Sequence, residues 1–337
     1  MINGHGDDLH QYDNKIEHNF SSNVYYKGCP PSLINKLQNT FNHIENYPSP
    51  LASELNLLAA DYFKLDKGQF LFTNGATEAF YLIAQNSIGK TATIVRPTFS
   101  EYEDACRINK VETQYISWNE IETAKFTTDL AFICNPNNPN GFTLSKPSIK
   151  RTLQAFPNTH FIIDEAYIEF TNVIESALPL IKNYKNLSIV RSLTKTFAIP
   201  GLRLGYLVTN SDYINQLLKI KMPWTVNSMS IEAGKFIFNN YSSLSFDVST
   251  LLNETKEFKT AIDNIDYLEV VPGSTTYFLV KLKKGKAADL KKYLIEFHQI
   301  LIRDATNFNG LEGQYIRLSV QSKSTNALLI AALKKWN

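Results

Sequence analysis

The sequence is short of cysteine. Its three, Cys29, Cys106 and Cys134, lie far apart and form no CxxC pair. That spacing excludes a zinc ribbon or redox dithiol, and an odd count does not close a disulfide framework. A reducing compartment fits best, so a cytoplasmic location is expected. The six histidines form no HExxH, and no His/Cys group has ligand spacing, so no metal is expected. The 14 glycines include neither GxGxxG nor GxxxxGK[ST], so a dinucleotide fingerprint and a P-loop are absent. Charge of one sign is missing too. Lys and Arg number 34 against 32 Asp and Glu, a net +2, too balanced to draw nucleic acid or an acidic surface as partner. Apolar runs such as residues 327–333 are far too short to span a bilayer. The start shows no basic stretch followed by an apolar one, so a secretory signal is not expected.

The chain is otherwise rich in core-forming residues. It is 44% hydrophobic and holds 17 Tyr and 21 Phe, which excludes disorder as the main state. A length of 337 residues exceeds what one core usually serves, so two lobes are expected. In the middle of the chain, β-branched runs over 91–96, 130–134, 160–164, 187–191 and 203–208 alternate with amphipathic runs near 76–87, 100–109, 145–156 and 212–219. This alternation predicts an α/β fold with a mostly parallel sheet covered on both faces. Beyond residue 225, helix-like stretches (229–239, 249–262, 287–298) surround the strand-like TYFLVKL and YIRLSV, which predicts a smaller α+β lobe. The irregular first forty residues, with their CPP, are expected to join the lobes. The expected division is an arm over 1–40, a large domain over 41–224 and a small domain over 225–337.

Ligands of open α/β sheets collect at the carboxyl ends of the strands, and here each predicted strand runs into polar residues. LAFIC is followed by NPNNPNG, HFIID by EAY, LSIVR by SLTK and TATIVR by PTFSEY. In TNGATEAF, a helix starting after Gly75 offers free N–H groups and a positive dipole end, a phosphate site unless it is an ordinary cap. Ser192, Thr194 and Arg203 supply hydroxyls and a guanidinium for the same anion. Lys195 is flanked by apolar SIV and FAI. If buried, its amine loses protons easily and attacks carbonyls; the alternative is a solvated lysine. Asp164 ends an apolar run, as a salt-bridge partner or as the acid facing a protonated ring nitrogen. An anion loop, a semi-buried lysine and a strand-end acid on one sheet edge match the needs of pyridoxal 5'-phosphate.

At these residues the chain resembles the fold-type-I pyridoxal-phosphate-dependent aminotransferase superfamily, class I/II. The motifs NGATEAF, PTFSEY, NPNNPNG, DEAY and SLTKTFAIPGLRLGY stand in family order and spacing. The resemblance implies that Lys195 is the Schiff-base lysine and proton shuttle, and that Asp164 pairs with the pyridine nitrogen. By the same resemblance Tyr167 and Asn138 donate to the phenolic oxygen, and Phe99 stacks on the ring. Gly75, Ala76, Ser192, Thr194 and Arg203 would hold the cofactor phosphate. Tyr47 in ENYPSP resembles the tyrosine that reaches that phosphate from a partner subunit, which implies a homodimer with composite sites. Arg317 resembles the arginine that clamps the substrate carboxylate.

Two branches of the superfamily share these motifs. Histidinol-phosphate aminotransferases carry them all. GHGDD, FSSN, KMPWTVNSMS and LIRDATNFNGLEGQYIRLSV look closer to L-threonine-O-3-phosphate decarboxylases, which serve cobalamin side-chain assembly. That likeness implies that His5, Asn23 and Arg303 contact the phosphate of a phosphorylated amino-acid substrate. It departs at HGDD, where the family more often has HGGN. Asp7 brings a negative charge near the expected phosphate, opposing binding unless it points away. The opening MINGHGDDLH reads as a metal site, a loose tail or an arm over the active site; the resemblance favours the arm.

Overall fold

A computed structural model describes residues 6–12 and 15–336 of the chain. The chain enters through β1 (His18–Asn19), α1 (Pro31–Gln38) and α2 (Ser53–Phe63). It then builds β2 (Phe70–Asn74), α3 (Gly75–Gln85), β3 (Thr91–Arg96), α4 (Glu101–Ile108), β4 (Glu112–Ser117), β5 (Leu130–Cys134), α5 (Lys146–Ala155), β6 (His160–Asp164), β7 (Leu187–Ser192), β8 (Leu204–Val208) and α6 (Ser211–Leu218). After α7 (Ser228–Leu244) come α8 (Val248–Asp263), β9 (Leu268–Val270), β10 (Tyr277–Leu282), α9 (Ala287–His298), β11 (Ile300–Leu301), β12 (Arg303–Asp304), β13 (Tyr315–Ser319) and α10 (Lys323–Leu333). Among the described residues no helix is long and apolar enough to cross a membrane.

The large sheet has the order β2-β8-β7-β6-β5-β3-β4. Strands β3 to β7 run parallel, and β8 lies antiparallel to both β2 and β7. The expected mostly parallel α/β architecture is what forms. Its inner strands are buried on both faces, so they read as nearly continuous apolar runs. Alternate residues feed two cores. Phe161 and Ile163 of β6 face one side, with helices α2, α5 and α7. Ile162 faces the other, with α3, α4 and α6. Helix starts follow local chemistry. The Ser145 hydroxyl accepts from the Ser148 N–H, with Pro147 in the first turn of α5, and Asn227 Oδ1 accepts from the Ser230 N–H at α7.

Three differences from the sequence reading have physical causes. Arg203 was expected inside a strand. Instead it closes a short helical turn with φ at +59°, in the left-handed region, and β8 begins one residue later. Strands β2 and β4 were not anticipated. β4 is an edge strand with mostly exposed or half-buried residues, so its pattern carries little signal. Helix α7, placed in the small domain by the 224/225 division, packs Ile231, Ala233, Ile237, Phe238 and Tyr241 into the core of the large sheet. The small-lobe core draws instead on α8, α9, α10, β10 and β13.

The arm bridges both lobes. β1 pairs in parallel with β11, and Phe20 is buried in the small-lobe core. Leu33 of α1 is buried with the large sheet. Tyr167 and Phe170, in the loop after β6, also sit in the small-lobe core, so the two lobes meet at the carboxyl edge of the sheet.

Gly205 in β8 fixes how closely α3 approaches that edge. A Cβ there would lie 2.5 Å from the Ala76 nitrogen and 2.9 Å from the Arg191 carbonyl oxygen, both backbone. Gly205→Ala is expected to destabilise the fold by about 1–3 kcal/mol, read as a lower midpoint in denaturant unfolding. Gly201→Ala, with nothing within 4 Å of its added Cβ, is expected to shift stability by less than about 0.5 kcal/mol. Equal midpoints for the two variants would refute the close-approach account.

Candidate active site

The loops after β3, β5, β6 and β7 converge on one cavity of about 510 Å³, closed on the far side by the arm and the small lobe. It lies where the strand order reverses around β3, the usual ligand position in such sheets. Ala76, Phe99, Asn138, Asp164, Tyr167, Ser192, Thr194, Lys195 and Arg203 line it from the large lobe, and Asn23, Arg303 and Arg317 from the arm and small lobe.

The anion end is built at the start of α3. Gly75 has φ at +71°, and a Cβ there would fall 2.4 Å from Arg203 Nη2. The left-handed turn and the missing side chain bring the guanidinium against the helix N-terminus. The Asn74 side chain does not cap α3, and Ala76 and Thr77 of its first turn line the cavity. The Ser192 and Thr194 hydroxyls, 2.7 Å apart and both buried, add to the same end.

Asp164 is sealed at the end of β6. Its Oδ1 accepts the Ala166 N–H at 2.9 Å, and its Oδ2 accepts the Tyr102 hydroxyl at 2.5 Å. Burial pushes its carboxyl up to about 6, against the pull of those two donors. Burial also draws the Lys195 amine down to about 8; the nearby Arg317 and Arg203 charges add to that, while Asp7 and Asp164 oppose it. Tyr167 is buried against Tyr277, ring centroids 4.7 Å apart, and burial pushes its phenol up to about 12. The buried Asn23 amide lies beside the Tyr167 phenol and works against the upward push of burial there, while much of its own hydrogen-bonding capacity is unmet among the described residues. Buried unsatisfied amides of this kind ask for a ligand or water.

The small lobe contributes two guanidinium groups. Arg317, 5% exposed, donates from Nη1 to Asn138 Oδ1 and from Nη2 to the Ser21 carbonyl, both at 2.6 Å. Arg303 donates to the Asp304 carbonyl at 2.6 Å and to Asn307 Oδ1 at 2.7 Å. Burial, followed by the charge of Arg317, draws Arg303 down to about 10.

Tyr47 is 88% exposed and packs on Trp224, 5.6 Å between ring centroids, away from the cavity. His5 lies outside the described residues, though Gly6 and Asp7 line the cavity. Asp7 adopts φ +66°, gives its N–H to Ser21 Oγ, and accepts from Asn19 Nδ2 at 2.6 Å. Its carboxylate is thus tied to the arm itself.

Sequence reasoning missed the layer behind the cavity. Tyr102 ends the PTFSEY stretch already singled out, but nothing in a sequence shows that it meets Asp164. The Arg191 guanidinium pairs with Glu165 at 3.0 Å and Glu169 at 2.7 Å, and donates to Ser176 Oγ at 3.0 Å. Tyr241 and Thr196 give their hydroxyls to Glu169 as well. This network lies one residue from Asp164, Ser192 and Lys195 alike. Among the described residues no His, Cys, Asp and Glu group is arranged to hold a metal.

Comparison with known proteins places the whole chain. The model for "Aminotransferase class I and II" matches residues 15–335. A threonine-phosphate decarboxylase of Salmonella typhimurium is 31% identical, over 94% of this chain and 90% of that one. The crystal structure of an L-threonine-O-3-phosphate decarboxylase from Porphyromonas gingivalis superposes with a TM-score of 0.92 at 40% identity, covering 94% of this chain and 98% of that one. That of a histidinol-phosphate aminotransferase from Clostridium acetobutylicum does so at 0.85 and 28% identity, covering 94% and 98%. With a family model spanning nearly the full length and a parallel-sheet cavity behind it, the chain belongs to the class I and II aminotransferase family.

Proposed function

We propose that the protein is a pyridoxal-phosphate-dependent decarboxylase of a phosphorylated amino acid, converting L-threonine O-3-phosphate to aminopropanol phosphate. The observation that carries this reading is the pair of buried arginines, Arg303 and Arg317, in one cavity with Lys195. Two separate guanidinium anchors suit a substrate with a carboxylate at one end and a phosphate at the other. Histidinol phosphate, the alternative substrate for an aminotransferase reading, offers a phosphate but no carboxylate.

The residues fit the cofactor. The cradle that a Cβ at Gly75 would fill, the uncapped start of α3 and the Ser192–Thr194 pair suit its phosphate. Asp164 suits a protonated ring nitrogen, Phe99 the ring face, and Asn138 with Tyr167 the phenolic oxygen. Pyridoxal phosphate supplies, when bound, an electron sink for charge developing at the substrate Cα. The chain's own residues do the rest. Asp164 holds the proton on the ring nitrogen. Arg317 orients the carboxylate, while Arg303 and Asn23, with His5, hold the phosphate. The spacing of these anchors selects which Cα bond stands perpendicular to the ring. Lys195 Nζ, whose ammonium and amine forms coexist near pH 8 because burial lowers its proton affinity, would give a proton to Cα from the ammonium form. The surrounding aromatic wall, Phe99 and Tyr167 included, excludes water. Tyr47 of a second copy completes the phosphate cup in a homodimer.

Three outcomes are expected. Because the Lys195 amine is drawn down to about 8, and only the neutral amine attacks, capture of pyridoxal phosphate by the cofactor-free protein should rise with pH up to about 8 and then level off. Stopped-flow absorbance checks this; a rise continuing to pH 10 means an ordinary lysine, and Lys195→Ala should show no capture. With L-threonine O-3-phosphate the enzyme should release carbon dioxide without a keto-acid acceptor. Arg303→Ala should weaken that substrate by about tenfold or more while leaving cofactor affinity unchanged. Acceptor-dependent turnover alone sinks the decarboxylase reading. Mixing inactive Tyr47→Ala and Lys195→Ala subunits should restore part of the activity; no recovery despite proven subunit exchange excludes composite sites.

A further inference from the structure

Tyr102 enters the site from α4 and is fully buried. Its ring stacks on Phe132 (centroids 5.5 Å apart, 15° between planes) and stands edge-on to Phe80 (4.7 Å, 81°) and Phe99 (5.8 Å, 81°). Its hydroxyl donates to Asp164 Oδ2 at 2.5 Å, with the buried Cys134 thiol also beside it. The other oxygen, Oδ1, takes the Ala166 N–H at 2.9 Å. Each oxygen of the carboxylate therefore carries one donor from the protein.

We propose that Tyr102 is a positioning residue for the cofactor ring: it pins the plane of the Asp164 carboxylate so that a lone pair faces the ring nitrogen across the cavity. This rests on the reading of Asp164 as the partner of that nitrogen. The last torsion of an aspartate is broad, so a carboxylate held by one donor still swings. Held at both oxygens, it does not, and each oxygen keeps a second lone pair. The donation also favours the charged carboxylate that a pyridinium needs. Burial pushes Asp164 towards its neutral form, and the Tyr102 hydrogen bond opposes this more than the Ala166 N–H does. Glu165 acts with burial, and Lys195 acts against it. The Tyr102 phenol itself is held well above its ordinary range by burial and by the Asp164 charge, so it stays a donor. Through Phe99 the same ring also braces the residue proposed to cover the ring face.

Tyr102→Phe keeps the aromatic packing and removes the donor. The test measures binding to cofactor-free protein of three probes: pyridoxal phosphate, its 1-deaza analogue with CH in place of the ring nitrogen, and inorganic phosphate. Tyr102→Phe should weaken pyridoxal phosphate about tenfold, as for loss of a charge-assisted contact, and leave the other two within about twofold. In an Asp164→Asn background the same change should cost nothing further. Equal weakening of pyridoxal phosphate and the deaza analogue marks Tyr102 as merely structural and overturns the proposal. So does unchanged pyridoxal phosphate binding in Tyr102→Phe while Asp164→Ala weakens it, an outcome that leaves the role of Asp164 standing. If Asp164→Ala also binds pyridoxal phosphate as before, the role of Asp164 falls and the proposal with it.

Discussion

The site rests on one buried cation. Arg191, at the end of β7, reaches Glu165 and Glu169 in the loop after β6, so a single guanidinium ties that loop to the neighbouring strand. Asp164 precedes Glu165, Ser192 follows Arg191, and Thr196, which also reaches Glu169, follows Lys195. Removing one partner from such a buried set leaves an uncompensated charge and costs about 3–5 kcal/mol. The two groups with shifted proton affinity, the acid and the amine, thus hang from a frame that carries no chemistry of its own.

That frame faces a pocket with more positive than negative groups. Lys195, Arg203, Arg303, Arg317 and Arg96 line it, against Asp7, Asp164, Glu101 and Glu103, the last of these paired with Arg96. Close cations inside a poorly solvated space depress each other's proton affinity, as Arg317 does for both Lys195 and Arg303. A ligand with several negative charges relieves this repulsion as it binds. The electrostatics that free the lysine for reaction are also those that draw in anions.

Much of this was legible in the sequence. The runs LAFIC and HFIID became β5 and β6 with the expected ends, because strands covered on both faces have an unmistakable apolar texture and polar residues at their carboxyl ends. Lys195, Asp164 and the NGAT turn could be read because each stands just past such a run. Tyr102 and Arg191 could not be assigned a partner, since their meaning lies in contacts with residues far away in sequence. The edge strand β4 lacked signal because its faces are largely solvated. Helix α7 was misplaced for a similar reason: an amphipathic pattern shows that a face is buried, not against which sheet.

The short segment from Phe20 to Tyr25 links otherwise distant parts. Its Ser21 carbonyl accepts from Arg317, Asn23 leans on Tyr167, and the Tyr25 N–H donates to the backbone carbonyl of Lys195 at 3.0 Å. Three of these six consecutive residues therefore touch Arg317, Tyr167 and the main chain of Lys195. None of these contacts involves α3 or β7, where the proposed phosphate cradle is built. On the proposed function, substrate choice and cofactor retention are thus written in different parts of the chain, which leaves one free to diverge while the other is held fixed.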